Sequence, residues 1–177
     1  MSFELLQLGH PHLRLQAQPI DDVHAPHIQR LIDDLLEFVV QVGGMGIAAP
    51  QVDVPLQLFI MASKPNSRYP SASDMPQTVV INPEIISSSM SQEKGWEGCL
   101  SVPGLRGLVP RATQIQVRYL TRDGEIVEMK YDGFIARIFQ HEGDHLQGKL
   151  FTDRLENNLD LMTEQAWQQM LSDQVDG

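Results

Sequence analysis

The hexapeptide Gln140-His141-Glu142-Gly143-Asp144-His145 constrains this chain more than any other feature, because it sets two imidazoles four residues apart with a carboxylate beside the first. On a helix that spacing stacks both rings on one face, with Cβ atoms roughly 5–6 Å apart, close enough to share one metal ion. Glu142 then lies about 100° further round the helix, where it reaches water on the metal without ligating the ion. His-Glu-x-x-His is thus a hydrolase signature with a mechanism attached, although the same spacing also arises on solvated helix faces.

The next question is the third ligand. The chain continues Leu146-Gln147-Gly148-Lys149-Leu150-Phe151, which follows metzincin spacing as far as the glycine and then sets Phe where that pattern has its third His. Phenylalanine cannot bind a metal, so the ligand comes from elsewhere, and two residues qualify. Glu164 lies about one helix further on, at a thermolysin-like separation, in a segment that reads as an ordinary amphipathic helix where exposed Glu is the default. Cys99, the single cysteine, lies in Trp96-Glu97-Gly98-Cys99-Leu100-Ser101-Val102-Pro103-Gly104; a lone Cys is most often a small buried hydrophobe.

The neighbours of Cys99 point further. Gly44-Met45-Gly46-Ile47-Ala48-Ala49-Pro50-Gln51, Glu97-Gly98-Cys99-Leu100-Ser101 and Gln140-His141-Glu142-Gly143-Asp144-His145-Leu146 stand in the order found in the peptide deformylases. The flanks agree too: an early helix, Ile81-Asn82-Pro83-Glu84, Arg106 and Val109-Pro110-Arg111. The chain resembles that family along nearly its whole length. The resemblance implies that Cys99, His141 and His145 bind one metal ion, with water in a fourth, open position, as in catalytic sites. In the family the ion is generally Fe(2+), and zinc, nickel or cobalt can substitute. Glu142 would act as general base and then as proton donor to the leaving amine. Gln51 and the backbone N–H of Leu100 look like the pair that stabilises the oxyanion, and Gly46 lets the backbone approach the substrate.

The implied reaction removes the formyl group from the formyl-methionyl end of a newly made polypeptide and releases formate. The peptide would lie extended along a sheet edge near Gly44 to Gly46 and Pro103 to Gly104. The methionine pocket would be lined by Met45, Phe134, Ile138 and the apolar stem of Arg137; core packing, or a solvated face for Arg137, accounts for these residues equally well. Glu97, Arg106 and Asp144 look like members of a network that orients the ligands, with Glu97 paired to Arg106. A zinc endopeptidase using Glu164 and a noncatalytic metal- or peptide-binding relative are the competing readings, and the joint presence of Gln51, Cys99 and Glu142 argues against the second.

Composition narrows the setting. A chain of 177 residues with 42% apolar content fits one globular domain over residues 1–177. No run of some 18 apolar residues could span a membrane, the start lacks a secretory pattern, and one cysteine excludes an internal disulfide framework; the cytoplasm is the simplest setting. The net charge of −10 argues against nonspecific nucleic-acid binding. Some deformylases dock on the ribosome through a basic C-terminal helix. Here no Lys or Arg follows Arg154, whereas Glu156, Asp160, Glu164, Asp173 and Asp176 are acidic, which argues against that route.

Apolar spacing predicts a helix carrying Ile28, Leu31, Ile32, Leu35, Leu36 and Val39 and ending at Gly43 or Gly44. Strands are expected at 57–61, 78–81 and 84–90, a polar loop from Lys64 to Gln77, and a hairpin of 113–121 with 125–131 across Arg122-Asp123-Gly124. The metal helix should run from about Gly133 to Gln147 and a last helix from about Leu159 to Leu171. The fold expected is α+β: antiparallel or mixed strands packed around a central His-Glu-x-x-His helix, with an N-terminal and a C-terminal helix.

Overall fold

Helix α1, Pro26–Gln41, starts with proline in its first turn and buries Ile28, Ile32, Leu35 and Val39 along one stripe. It stops in a paired-carbonyl motif: the N–H of Gly43 (φ 63°) donates to the Val40 carbonyl and that of Gly44 to Val39. That stop feeds the chain directly into strand β1, Gly46–Ala48. The computed structural model describes residues 3–66, 69–70 and 72–175.

The remaining elements are β2 (Leu58–Met61), β3 (Thr78–Ser88), β4 (Gln92–Cys99), β5 (Val102–Ala112), β6 (Gln114–Leu120), β7 (Ile126–Asp132), α2 (Gly133–Leu146), β8 (Leu161–Thr163) and α3 (Glu164–Val175). A five-stranded antiparallel sheet has the order β1-β2-β3-β6-β7, and a three-stranded one the order β4-β5-β8. Helix α2 packs against strands of both sheets. Its Phe139 meets Phe59 of β2 edge-on at 5.2 Å and lies close to Tyr119 and Tyr131. Helix α1 covers another part of the large sheet, with Ile47, Leu58, Ile60 and Ile81 in the same apolar cluster.

The architecture is therefore α+β with a central α2, and the hairpin at 122–124 forms with β6 and β7. Three boundaries differ from expectation. The two short strands predicted around Asn82-Pro83 are one strand, β3, with a register shift between Ile81 and Glu84. Asn82 takes φ 49° there, and its side-chain amide bonds both the N–H and the carbonyl of Ile20 at 2.8 Å, so a bulge replaces the break. Strands β4 and β5, which pair across the Cys99 block, were not anticipated. The last helix begins at Glu164 rather than Leu159, because Leu161–Thr163 is taken up as an edge strand on β5.

Candidate active site

Cys99 ends β4, and Leu100 and Ser101 form the turn to Val102 of β5, which pairs back to Cys99. The hairpin thus presents its thiol at a tip. His141 and His145, one turn apart on α2, stand with ring centroids 5.3 Å apart and planes at 74°. Cys99 Sγ lies 3.3 Å from Nε2 of His145. One donor atom from each of Cys99, His141 and His145 falls within 4.8 Å of the others, and among the described residues no other group of three His, Cys, Asp or Glu does so. Glu164, the competing third ligand, lies outside this group; its carboxylate is held by Arg106.

The donor set fits a metal ion. Burial alone would raise the Cys99 thiol, but the charge of His145 and hydrogen bonds with both imidazoles bring it down to about 5, so it is a thiolate at neutral pH. Burial alone would lower His141, yet its hydrogen bonds to Cys99 and Glu97 hold it well above the ordinary range. The pocket therefore concentrates negative charge on a proton that a bound cation would replace. Nδ1 of His141 is taken by Glu97 Oε2 at 2.8 Å, which leaves ligation to its other nitrogen. Glu142 is buried beside the group, and burial pushes its carboxyl up to about 7. Its Oε2 has no hydrogen-bond partner among the described residues, the condition expected of an oxygen that faces a ligand or water. A Cβ on Gly46 would stand 2.7 Å from Glu142 Cδ, so only glycine leaves that carboxylate its place.

The supporting charges are wired differently from the expected Glu97–Arg106 pair. Glu97 takes Nε and Nη2 of Arg111 at 2.9 and 3.0 Å, and also Nη1 of Arg137 at 2.8 Å. Strand register is the reason: Glu97 stands opposite Gly107, so it shares a face with residues 109 and 111, while Arg106 points to the other face. Asp144 continues the chain of contacts, accepting from Arg111 Nη1 at 2.6 Å and from Arg154 Nε at 3.0 Å. Arg106 instead binds Glu164 through two nitrogens and Tyr69 through the third. Arg111 and Arg154 were not assigned roles from the sequence. The alternation of Val109 and Arg111 on one strand face was an available signal for the first; Arg154 offered none.

A cavity of about 330 Å3 opens above this group. Its wall includes Gly44, Met45, Gly46, Pro103, Gly104, Phe134, Arg137 and Ile138, all the residues assigned to the peptide or the methionine, together with Gln51, Glu97, Cys99, Leu100, Arg106, His141 and Glu142. His145 and Asp144 lie outside this lining. The amide of Gln51 is oriented by the Ala48 N–H, which donates to Oε1 at 2.9 Å, so Nε2 points to Ser101 Oγ at 3.1 Å and toward Cys99 Sγ at 3.5 Å. Ser101, fully buried, is a further site residue that the sequence reading passed over.

The polypeptide deformylase family model matches residues 2–160. Peptide deformylase 2 of Nostoc sp. is 50% identical over 95% of this chain and 94% of its own length, and peptide deformylase 1 of Bordetella pertussis is 44% identical over 88% of each. The crystal structure of a class I type b peptide deformylase from Acinetobacter baumannii with Met-Ala-Ser bound superposes with a TM-score of 0.85 at 43% identity, covering 88% of this chain and 99% of that one. The deformylase of Synechococcus elongatus in complex with actinonin gives 0.79 at 34% identity, covering 89% of this chain and 81% of that one. The chain belongs to the polypeptide deformylase family, metal-dependent hydrolases that remove the N-formyl group from newly made polypeptides.

Proposed function

We propose that residues 1–177 form one catalytic domain in which Cys99, His141 and His145 hold a single ferrous ion, replaceable by zinc, nickel or cobalt, and that it deformylates formyl-methionyl peptides in the cytoplasm. The observation that carries this reading is the convergence of one thiolate and two imidazoles beside a buried, unpartnered carboxylate oxygen at the wall of a peptide-sized cavity. When bound, the metal supplies Lewis acidity and lowers the pKa of water to around 7. Sulfur and imidazole donors suit ferrous iron and zinc alike, and iron is favoured here by family membership.

Glu142 accepts a proton from the attacking water, a task suited to a carboxyl held near 7. The water oxygen adds to the formyl carbon, and charge moves onto the formyl oxygen. Gln51 Nε2, held in direction by the Ala48 N–H, and the N–H of Leu100 donate to that oxygen. Glu142 then passes its proton to the departing nitrogen as the C–N bond breaks, leaving formate and a free amino terminus. The backbone from Gly44 to Gly46 and around Pro103 and Gly104 guides the peptide, and β1 suits this because it is the edge strand of its sheet. Met45, Phe134, Ile138 and the stem of Arg137 receive the methionine. Met-Ala-Ser bound to the Acinetobacter baumannii enzyme supports a short methionyl peptide as the kind of ligand. Among the described residues no helix is long and apolar enough to cross a membrane. Helix α3 carries no Lys or Arg, which disfavours docking on nucleic acid or the ribosome through it.

The test is formate release from a short formyl-methionyl peptide by protein purified without oxygen and loaded with ferrous iron. Release that stops on chelation is expected. Cys99→Ala should fail to retain metal, whereas Glu142→Ala should retain it and lose about 10²- to 10⁴-fold in turnover, the usual worth of a positioned acid–base group. Full activity in Glu142→Ala would remove that residue as the base, and a stable, active metalloprotein without the Cys99 side chain would overturn the ligand set.

A further inference from the structure

The two groups assigned to the formyl oxygen stand on different parts of the fold. Gln51 belongs to the 3-10 turn Ala49–Val52, which follows β1 of the five-stranded sheet, and Leu100 to the turn that joins β4 and β5 of the other sheet. Oxyanion donors work only when they are held in place before the charge develops, so the two turns have to be fixed against each other. One link is direct: Gln51 Nε2 donates to Ser101 Oγ at 3.1 Å. An amide nitrogen carries two protons, and the second faces Cys99 Sγ at 3.5 Å. A single side chain is thus asked both to bridge the turns and to serve the reaction.

A second link comes from the start of the chain. In residues 3–8, the N–H of Leu6 donates to the Gln51 carbonyl at 2.9 Å and that of Leu8 to the Ser101 carbonyl at 2.7 Å. One short run of backbone therefore bonds both turns, on Gln51 itself and one residue beyond Leu100. The run is anchored in its turn. Phe3 and Leu5 pack against the apolar cluster of α1, which Leu100 also joins, and Phe3 meets Phe38 edge-on at 5.4 Å. Further on, Nδ1 of His12 lies 2.6 Å from Oδ1 of Asp53, the residue that ends the Gln51 turn at φ 65°. Leu8 is 46% exposed, so its N–H rather than apolar burial ties it down. None of residues 3–12 lines the cavity, and any effect of the run on the reaction has to pass through the turns it bonds.

We propose that Leu6 and Leu8 are positioning residues: through their backbone N–H groups they hold the amide of Gln51 and the N–H of Leu100 at the spacing that the charged formyl oxygen needs. The inference rests on the assignment of those two donors above. Leucic acid in place of leucine at position 6 or 8 turns one amide into an ester and deletes one N–H without touching a side chain. The same exchange at Leu5, whose N–H bonds no described group, is the control.

In the full chain loaded with ferrous iron, the ester at 6 and the ester at 8 should each lower kcat for formate release about 10-fold, less than the about 10²- to 10³-fold cost of deleting an oxyanion donor. KM should stay within about 2-fold, because the run lies outside the cavity, and metal content should not change. The Leu5 ester should match the unaltered enzyme. An ester at 8 also weakens the Gln7 carbonyl that accepts the His10 N–H at 2.9 Å; Leu8→Pro, which keeps that carbonyl an amide, should give the same loss. In a Gln51→Ala background the ester at 6 should cost under about 2-fold more, since groups that act as a unit do not add. Esters at 6 and 8 that leave kcat unchanged, or an ester at 6 that still costs its full factor in Gln51→Ala, would overturn the proposal. Full kcat in Gln51→Ala alone would instead remove the donor assignment on which it rests.

Discussion

Two buried arginines, five residues apart on β5, carry out opposite tasks. Arg111, with its side chain 5% exposed, lies between Glu97 and Asp144, whose side chains are buried to a similar degree. Its partners come from the strand that ends in Cys99 and from the helix that bears both histidines, so it ties the two sources of ligands together. Arg106 has a partly exposed carboxylate as its ionic partner and two aromatic rings as its bed, and that carboxylate comes from the C-terminal helix. The inner network braces the strand and helix that bear Cys99, His141 and His145, whereas the outer one ties β5 to the C-terminal helix. Parity along one strand is enough to separate the two roles.

Replacement of the two arginines would expose that difference. Arg111→Met leaves two buried carboxylates without their shared cation and should cost about 3–5 kcal/mol, with metal lost in parallel; denaturant unfolding of the loaded and chelated forms measures both. Glu97→Gln should weaken metal binding about 10- to 100-fold, because it loosens the carboxylate that orients His141, while leaving most of the fold intact. Competition with a calibrated chelator would reveal it. Arg106→Met should cost less, about 1–3 kcal/mol, since Glu164 can rehydrate, and its effect on turnover should appear in KM for the peptide. An Arg106 variant as unstable as the Arg111 variant would erase the distinction.

Acid should separate the networks more gently. For both Glu97 and Asp144, burial would raise the carboxyl, but it is outweighed: at Glu97 by His141 and Arg111, at Asp144 by Arg154 and Arg111, so both titrate below the usual carboxylate range. In the unfolded chain they protonate near about 4. Their contribution is therefore complete above that pH and is lost as pH falls toward the folded values. The chelated protein should lose stability below about pH 4, and Asp144→Asn should show a shallower loss; parallel curves would mean that Asp144 contributes no such stability.

The parts legible in the sequence are those written in local spacing. The helix of His141 and His145 follows from a period of four, and α1 from the stripe of Ile28, Ile32, Leu35 and Val39 with glycine at its end. Cys99 carries no periodic signal and stood as one of two candidate ligands until its block was matched to a family, and Gln51 was reached only through that resemblance. The pairing of Glu97 with Arg111 depends on the register of β4 and β5, which local patterns did not mark as strands, and the Arg106 expectation rested on family position instead. Tyr69, Glu164 and Trp167 converge on Arg106 from a loop and a helix nearly a hundred residues apart. No local pattern encodes such a meeting.

Gly46 has a practical meaning for inhibitors. A compound seated against its backbone rests on a wall where any added methyl would displace the carboxylate of Glu142, so with Glu142 as the proposed base a resistant substitution there would disable the enzyme it was meant to rescue. A compound that draws its affinity from Tyr69 or Glu164 leans on side chains outside the proposed acid–base machinery. Escape should therefore arise at the rim contributed by α3, and a durable inhibitor would confine its essential contacts to the glycine wall.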